Sequence, residues 1–181
     1  DVPVGKNLIT NSEFEMNEDG SLAGWENAVT APGDATFEAG DGKITYSVEN
    51  VGEADWNIQL KQMGLSLEQG ESYTLKCTLV SDVDRVVKVA VMTPSAGYAW
   101  HGGEDVVLTA GEAKDITLTI TPKEEVFTDG ITVDTGAGLF FSMGYVEGYT
   151  LGAHTVSISN VREHVPGLNS EKKPTGSALS I

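Results

Sequence analysis

Apolar and polar residues alternate with period two over several stretches of the chain: Ile44-Thr45-Tyr46-Ser47-Val48, Tyr73 to Leu79, Val87-Lys88-Val89-Ala90-Val91, Ile116-Thr117-Leu118-Thr119-Ile120 and Val156-Ser157-Ile158-Ser159. Successive side chains of a strand point to opposite faces, so this pattern predicts strands that bury one face and leave the other in solvent. Turn signals fall between them at Asp41-Gly42, Gln69-Gly70, Gly102-Gly103, Ala110-Gly111 and Asp129-Gly130, where glycine reaches positive φ without steric cost. Short strands punctuated this often predict an all-β sandwich or barrel. No stretch carries a helical period with caps at both ends. The nearest candidate, Leu65 to Glu71, is short and ends in a glycine turn. After Glu163 the alternation fades into Pro166, Gly167 and a polar run rich in turn formers. The chain therefore divides into one domain over residues 1–165 and a linker or tail over 166–181.

Composition narrows the function. With 181 residues, 40% of them hydrophobic, the chain can bury one sizeable core. The 27 acidic residues against 11 basic ones give a net charge of −16, and such a field repels nucleic acid and anionic membrane surfaces. A neutral ligand meets no such repulsion. Cys77 is the only cysteine, which excludes a disulfide framework, a paired-cysteine zinc site and a redox pair. It lies in phase with Tyr73, Leu75 and Leu79, so it reads as a small buried hydrophobe. The longest apolar runs, such as Gly138-Leu139-Phe140-Phe141, are too short to cross a bilayer.

Several segments occur together in one order. Asn7-Leu8-Ile9-Thr10-Asn11-Ser12-Glu13-Phe14-Glu15 is followed by Gly24-Trp25, by Gly42-Lys43 before a strand, by Asp55-Trp56-Asn57-Ile58-Gln59-Leu60 and by Leu67 to Leu75. Phe141-Ser142-Met143-Gly144-Tyr145 and Val156 to Val161 close the series. In this order the chain resembles carbohydrate-binding modules of the family 4, 9, 16 and 22 grouping, family 4 above all, from about Asn7 to Arg162. The resemblance implies a jelly-roll β-sandwich of two antiparallel sheets. It implies a cleft for a β-linked plant polysaccharide, a β-1,4- or mixed-linkage glucan, xylan or mannan. It further implies a secreted, extracellular and monomeric bacterial module appended to a glycoside hydrolase. Gln59 and Ser142 stand where xylan-binding members carry an acidic residue and a histidine, which leaves the sugar preference open. The other reading is a structural or adhesive β-sandwich of a bacterial surface protein with no glycan affinity.

A pyranose ring has an apolar C–H face and a hydroxyl rim, so its site needs aromatic platforms beside a few amides, hydroxyls or carboxyls. Trp100 and Tyr98 lie in Gly97-Tyr98-Ala99-Trp100-His101-Gly102-Gly103, a segment that reads as a loop; they either touch ligand or cap the sandwich edge. Trp56 begins a strand whose alternation alone would bury it with Ile58 and Leu60, whereas the resemblance places it at the cleft edge. Gln59 points opposite to Ile58, toward a cleft floor or solvent. Trp25 reads as core, and Tyr145, like Tyr149, either lines the cleft or closes the sandwich.

Catalytic signatures are absent from the sequence. His101, His154 and His164 share no zinc-type spacing, no serine occupies a Gly-x-Ser-x-Gly elbow, and there is no phosphate loop or dinucleotide fingerprint. A carboxyl pair can be found among so many acids, but without specificity. A non-catalytic module is expected. The resemblance also implies a structural calcium ion away from the cleft, held by side-chain oxygens of Glu15, Asp41 and Asn160 and the main-chain carbonyl of Lys43. Asn160 stands where an aspartate is usual, which removes one negative charge.

Overall fold

A computed structural model describes residues 7–164. Ten strands follow one another: β1 (Glu26–Val29), β2 (Asp34–Gly40), β3 (Lys43–Asn50), β4 (Ile58–Glu68), β5 (Tyr73–Ser81), β6 (Arg85–Thr93), β7 (Ala99–Leu108), β8 (Lys114–Ile120), β9 (Val133–Ser142) and β10 (His154–His164). They form two five-stranded antiparallel sheets, ordered β1-β4-β9-β6-β7 and β2-β3-β10-β5-β8. The chain crosses repeatedly from one sheet to the other, which is a jelly-roll sandwich. The five predicted strands lie within β3, β5, β6, β8 and β10. Among the described residues, helix is confined to three 3₁₀ turns, and no helix is long and apolar enough to cross a membrane.

The alternation does its work between the sheets. Ile58 and Leu60 of β4, Val87, Val89 and Val91 of β6, and Leu139 and Phe141 of β9 are buried in one cluster. Ile44 and Tyr46 of β3, Leu75, Cys77 and Leu79 of β5, and Val156 and Ile158 of β10 belong to the same cluster. Each such side chain taken from water stabilises the fold by about 1.5–3 kcal/mol. Burial of Cys77 pushes its thiol up to about 12, so it is an inert core group. Trp25 is buried against Phe14 and Phe141, with ring centroids at 5.0 and 6.4 Å, and its Nε1–H donates to the Asn11 carbonyl at 2.9 Å.

The expectation of almost no helix holds at Leu65 to Glu71 as well, and two other expectations are corrected. Leu65 to Glu71 is the end of β4 and its following turn; extended pairing with β9 overrides its weak helical signal. Gly102-Gly103 is not a turn but lies inside β7, where the glycines make room for neighbours. Trp56 precedes β4 in a 3₁₀ turn over Asp55–Asn57, so strand parity does not govern it. The tail expected over 166–181 lies outside the described residues.

Glu163, near the end of β10, is fully buried opposite Leu75. Neither of its carboxylate oxygens has a hydrogen-bond partner among the described residues, and burial pushes its pKa up to about 7. Its backbone ties down the start of the chain. The Leu8 N–H donates to the Glu163 carbonyl at 2.7 Å, and the Glu163 N–H donates to Asn7 Oδ1 at 3.0 Å.

Candidate ligand-binding groove

Strand register sets the floor of the site. On the outer face of the β1-β4-β9-β6-β7 sheet, Ala28, Gln59, Ser142, Lys88 and Asp105 stand in one row across five strands. Lys61, Phe140, Ala90 and Gly103 form the next row, and Met63, Gly138, Met92 and Trp100 the third. A groove of about 720 Å³ runs over these rows, lined by Trp56, Gln59, Lys61, Met63, Lys88, Met92, Tyr98, Trp100, Phe140 and Ser142 among others. A second hollow of about 500 Å³ shares Asp55, Lys88 and Ser142 with it and adds Asp105, Tyr145, Glu147 and Tyr149. Together they make one open trough. All six ligand-binding candidates drawn from the sequence line it.

Of the aromatic side chains around this trough, three at its Trp56–Trp100 end are exposed: Trp56 by 56%, Tyr98 by 61% and Trp100 by 42%. Each has a local cause. Asn57 is buried, and its Oδ1 accepts the N–H groups of Glu53 at 2.9 Å and Ala54 at 2.8 Å. Its Nδ2 donates to the Thr30 carbonyl at 3.1 Å. Pinning Asn57 inward turns the neighbouring Trp56 outward. Tyr98 follows Gly97 at the reversal between β6 and β7, and both are left-handed, with φ of 60° and 67°. A tyrosine held in that region carries strain, and strain gathers where geometry serves function. Trp100 lies over Gly103: a Cβ there would meet its ring carbons at 2.6 and 2.8 Å. The bare glycine lets the indole lie along the sheet as a platform.

Polar groups complete the floor. Gln59 Nε2 donates to Ser142 Oγ at 3.0 Å, leaving the Gln59 carbonyl and the serine O–H for a ligand hydroxyl. Lys88 pairs with Asp55 at 3.0 Å, and that hydrogen bond raises the lysine pKa above its usual value. Beneath Trp100, His101 is buried and donates from Nε2 to Thr93 Oγ1 at 2.7 Å, while Thr93 donates to Asp134 at 2.6 Å. The Lys123 N–H donates to His101 Nδ1 at 2.9 Å. Burial lowers the His101 pKa, so a neutral imidazole anchors the network that fixes the base of β7. Flat apolar faces beside amide, hydroxyl and charged groups, in an open trough, suit a chain of pyranose rings.

Comparison with known proteins agrees in kind. A carbohydrate binding domain profile of the family 4/9 type matches residues 6–136. The chain belongs to that family. Among solved structures, a CBM4 domain superposes on this carbohydrate-binding domain with a TM-score of 0.66 at 20% identity, covering 87% of this chain and 99% of that one. The N-terminal cellulose-binding domain of Cellulomonas fimi β-1,4-glucanase C gives 0.59 at 20% identity, covering 93% and 99%. The CBM22-1–GH10 modules of Clostridium thermocellum xylanase 10B, complexed with xylohexaose, give 0.52 at 16% identity, covering 92% of this chain and 30% of that one. No curated protein sequence matches the chain.

The calcium candidates of this carbohydrate-binding domain lie away from the trough. Asp41 and Gly42 form the hairpin turn between β2 and β3, and the Gly42 N–H donates to the Glu13 carbonyl at 3.0 Å. Lys43 faces Ser159, which precedes Asn160 in β10. Glu15 is exposed, with its N–H and carbonyl both engaged by the Asn11 amide. The Asn160 Nδ2 donates to Thr78 of β5 at 3.2 Å, on the side of β10 away from β3. Among the described residues no three Asp, Glu, His or Cys side chains come together as a metal-holding group. Calcium there would therefore depend on main-chain and amide oxygens as well as carboxylates. The Glu13 carboxylate lies against Gly42 at the same turn.

Sequence reasoning also missed Asp55, Lys61, Met63, Lys88 and Met92. Strand parity would have found three of them: Lys61 and Met63 share the face of Gln59, and Met92 that of Lys88. The Lys88–Asp55 pair is tertiary and left no signal.

Proposed function

We propose that this carbohydrate-binding domain is a non-catalytic module that binds a β-linked plant polysaccharide, a β-1,4- or mixed-linkage glucan, xylan or mannan, along the trough. Outside the cell, attached to a glycoside hydrolase, it keeps that enzyme close to its substrate and raises the effective concentration without altering the chemistry. One observation carries the reading. Trp56, Tyr98 and Trp100 stand exposed around a groove whose floor is the Gln59–Ser142 pair, so stacking faces and hydroxyl partners occur in one place. An open trough admits a chain in passing, so longer oligosaccharides gain contacts that a disaccharide lacks. Calorimetry with β-glucan, xylan and mannan oligosaccharides tests this: affinity rises with chain length for at least one of them, and no heat with any would overturn it. Reducing ends should not accumulate on long incubation with the same polymers.

We also propose a structural calcium at the β2–β3 turn. The hard oxygens of Asp41, the Lys43 carbonyl and Glu15, with Glu13 beside them, are of the kind calcium takes; the Asn160 amide, which lies toward Thr78 of β5, would turn back to join them. Its part would be to tie the start of the domain to β3 and β10.

A further inference from the structure

Arg85 is a buried cation whose hydrogen-bond partners among the described residues include no carboxylate. It opens β6 and points between the sheets, in step with Val87 and Val89. Burial brings its pKa down to about 10, so it remains charged at neutral pH. Its Nε donates to the Val86 carbonyl at 3.0 Å, its Nη2 to the Gly144 carbonyl at 2.9 Å, and its Nη1 to His154 Nε2 at 3.0 Å. His154 comes from the opposite sheet, at the start of β10, and donates from Nδ1 to the Gly152 carbonyl at 2.7 Å. One imidazole can donate from Nδ1 and accept at Nε2 only while it is neutral. Gly144 and Gly152 bracket the segment that brings Tyr145, Glu147 and Tyr149 to the trough.

The Gly144 peptide faces a second element as well. Its N–H donates to the Asp55 carbonyl at 2.9 Å, and the next N–H, of Tyr145, donates to the Ala54 carbonyl at 3.1 Å. A side chain at position 144 would run into the Ala54 and Asp55 carbonyls, so the two segments touch backbone to backbone. The peptide that Arg85 holds is thus the one on which the Trp56 turn rests.

We propose that Arg85 is a positioning residue for the trough: through Gly144, with His154 as its acceptor, it keeps the Tyr145 wall and the Trp56 turn in place, and a proton on His154 undoes this and weakens ligand binding. The proposal rests on the glycan-binding reading and adds a control to the same site. Protonation would turn Nε2 into a donor facing a guanidinium N–H, with two like charges in contact. The charged groups that face His154 are Arg85 from β6 and Asp82 from the β5–β6 turn, whose carboxylate accepts the Thr155 N–H at 2.9 Å. Burial first, and Arg85 after it, favour the neutral ring, while the Gly152 hydrogen bond and Asp82 favour the cation; the balance lies below the ordinary value of 6.5.

Calorimetric titration with cellohexaose and xylohexaose, at about pH 4.5 to 8 and with circular dichroism confirming the fold at each point, tests the proposal. Affinity should be constant at high pH and fall about tenfold per pH unit below the His154 pKa, as a single linked proton requires. His154→Gln should remove the acid limb. Arg85→Lys, too short to reach both Gly144 and His154, should weaken binding; if it does not fold, the His154 variant decides. A flat profile in the folded wild-type protein, or an unchanged acid limb in His154→Gln, overturns the proposal. If neither oligosaccharide binds at any pH, the glycan-binding reading fails on its own. The positioning contact is then decided by the Gly144 and Gly152 amide resonances, which either titrate with the His154 ring and support it or ignore that ring and overturn it.

Discussion

A residue in this trough does its work through the neighbour that aims it. Trp56 is presented to solvent because Asn57, beside it, is buried and bonded three times. The two positions should therefore fail differently. Trp56→Ala should weaken glycan binding by about 1–3 kcal/mol, as truncation of a stacking anchor does, with the melting transition intact. Asn57→Ala leaves the Glu53 and Ala54 N–H groups without their acceptor, a cost of about 1–3 kcal/mol for each that stays buried, and leaves the Thr30 carbonyl with the Gly33 N–H alone. Its melting temperature should fall along with its affinity. Scanning calorimetry beside binding isotherms separates the two, and equal melting curves for both variants would mean that Asn57 does not hold the turn. A Tyr98/Trp100 double alanine change should resemble Trp56→Ala, since both side chains are exposed and contribute little to the core.

At the scale of elements, legibility followed burial. β3, β5, β6, β8 and β10 alternate because one face is core and the other open, and this period is what a sequence displays. β9 is buried along its whole second half, its outer residues lying low on the trough floor between the longer side chains of Lys61, Met63 and Lys88; alternation vanishes and Leu139-Phe140-Phe141 reads as a mere apolar run. β7 hid behind its glycines. They mark a strand over which a ring lies, whereas a sequence reader takes them for a turn. β1 and β2 are edge strands: β1 is four residues long and shows no clear period, while β2 alternates Ala35, Phe37 and Ala39 with Asp34, Thr36 and Glu38 but only half-buries its apolar face. The site was legible where the resemblance supplied positions, as for Trp56, Gln59 and Ser142, and illegible where pairing is tertiary, as for Lys88 and Asp55. The β2–β3 turn carries the third prediction: calcium bound only by the folded state raises the melting temperature by mass action and excess chelator lowers it. Glu15→Ala should shrink that difference, and identical melting curves with and without chelator would remove the ion from this end of the domain.

Over the whole molecule, two opposed proton equilibria shape stability. The Glu163 carboxyl is ordinary at 4.5 and sits at about 7 when folded. The unfolded chain therefore loses its proton first, and stability falls as pH rises from about 4.5 to 7 and stays low above, by about 3 kcal/mol at most. His101 and His154 act the other way. Burial lowers both below 6.5, so the unfolded state takes up protons first and stability is lost as pH falls below that value. The wild-type melting temperature should vary little across the shared window. Glu163→Met, unbranched and of similar volume, should raise it at about pH 8, close the gap with wild type near pH 4, and expose the histidine slope between. A variant with the same offset at both ends of the range would show that Glu163 carries no buried charge.

The pairing of Asn7 and Leu8 with Glu163 has an architectural consequence. The first and last described segments of the domain leave the sandwich side by side, a few ångströms apart. A linker spliced to either one would depart from the same place and give a fused enzyme the same vantage on the polymer. The two could also be joined by a short bridge and the chain reopened at an exposed hairpin such as Ala110-Gly111. The domain is by this geometry a cassette: it can be hung from a partner at the front, at the back, or within one of the partner's own loops, with no change to the trough.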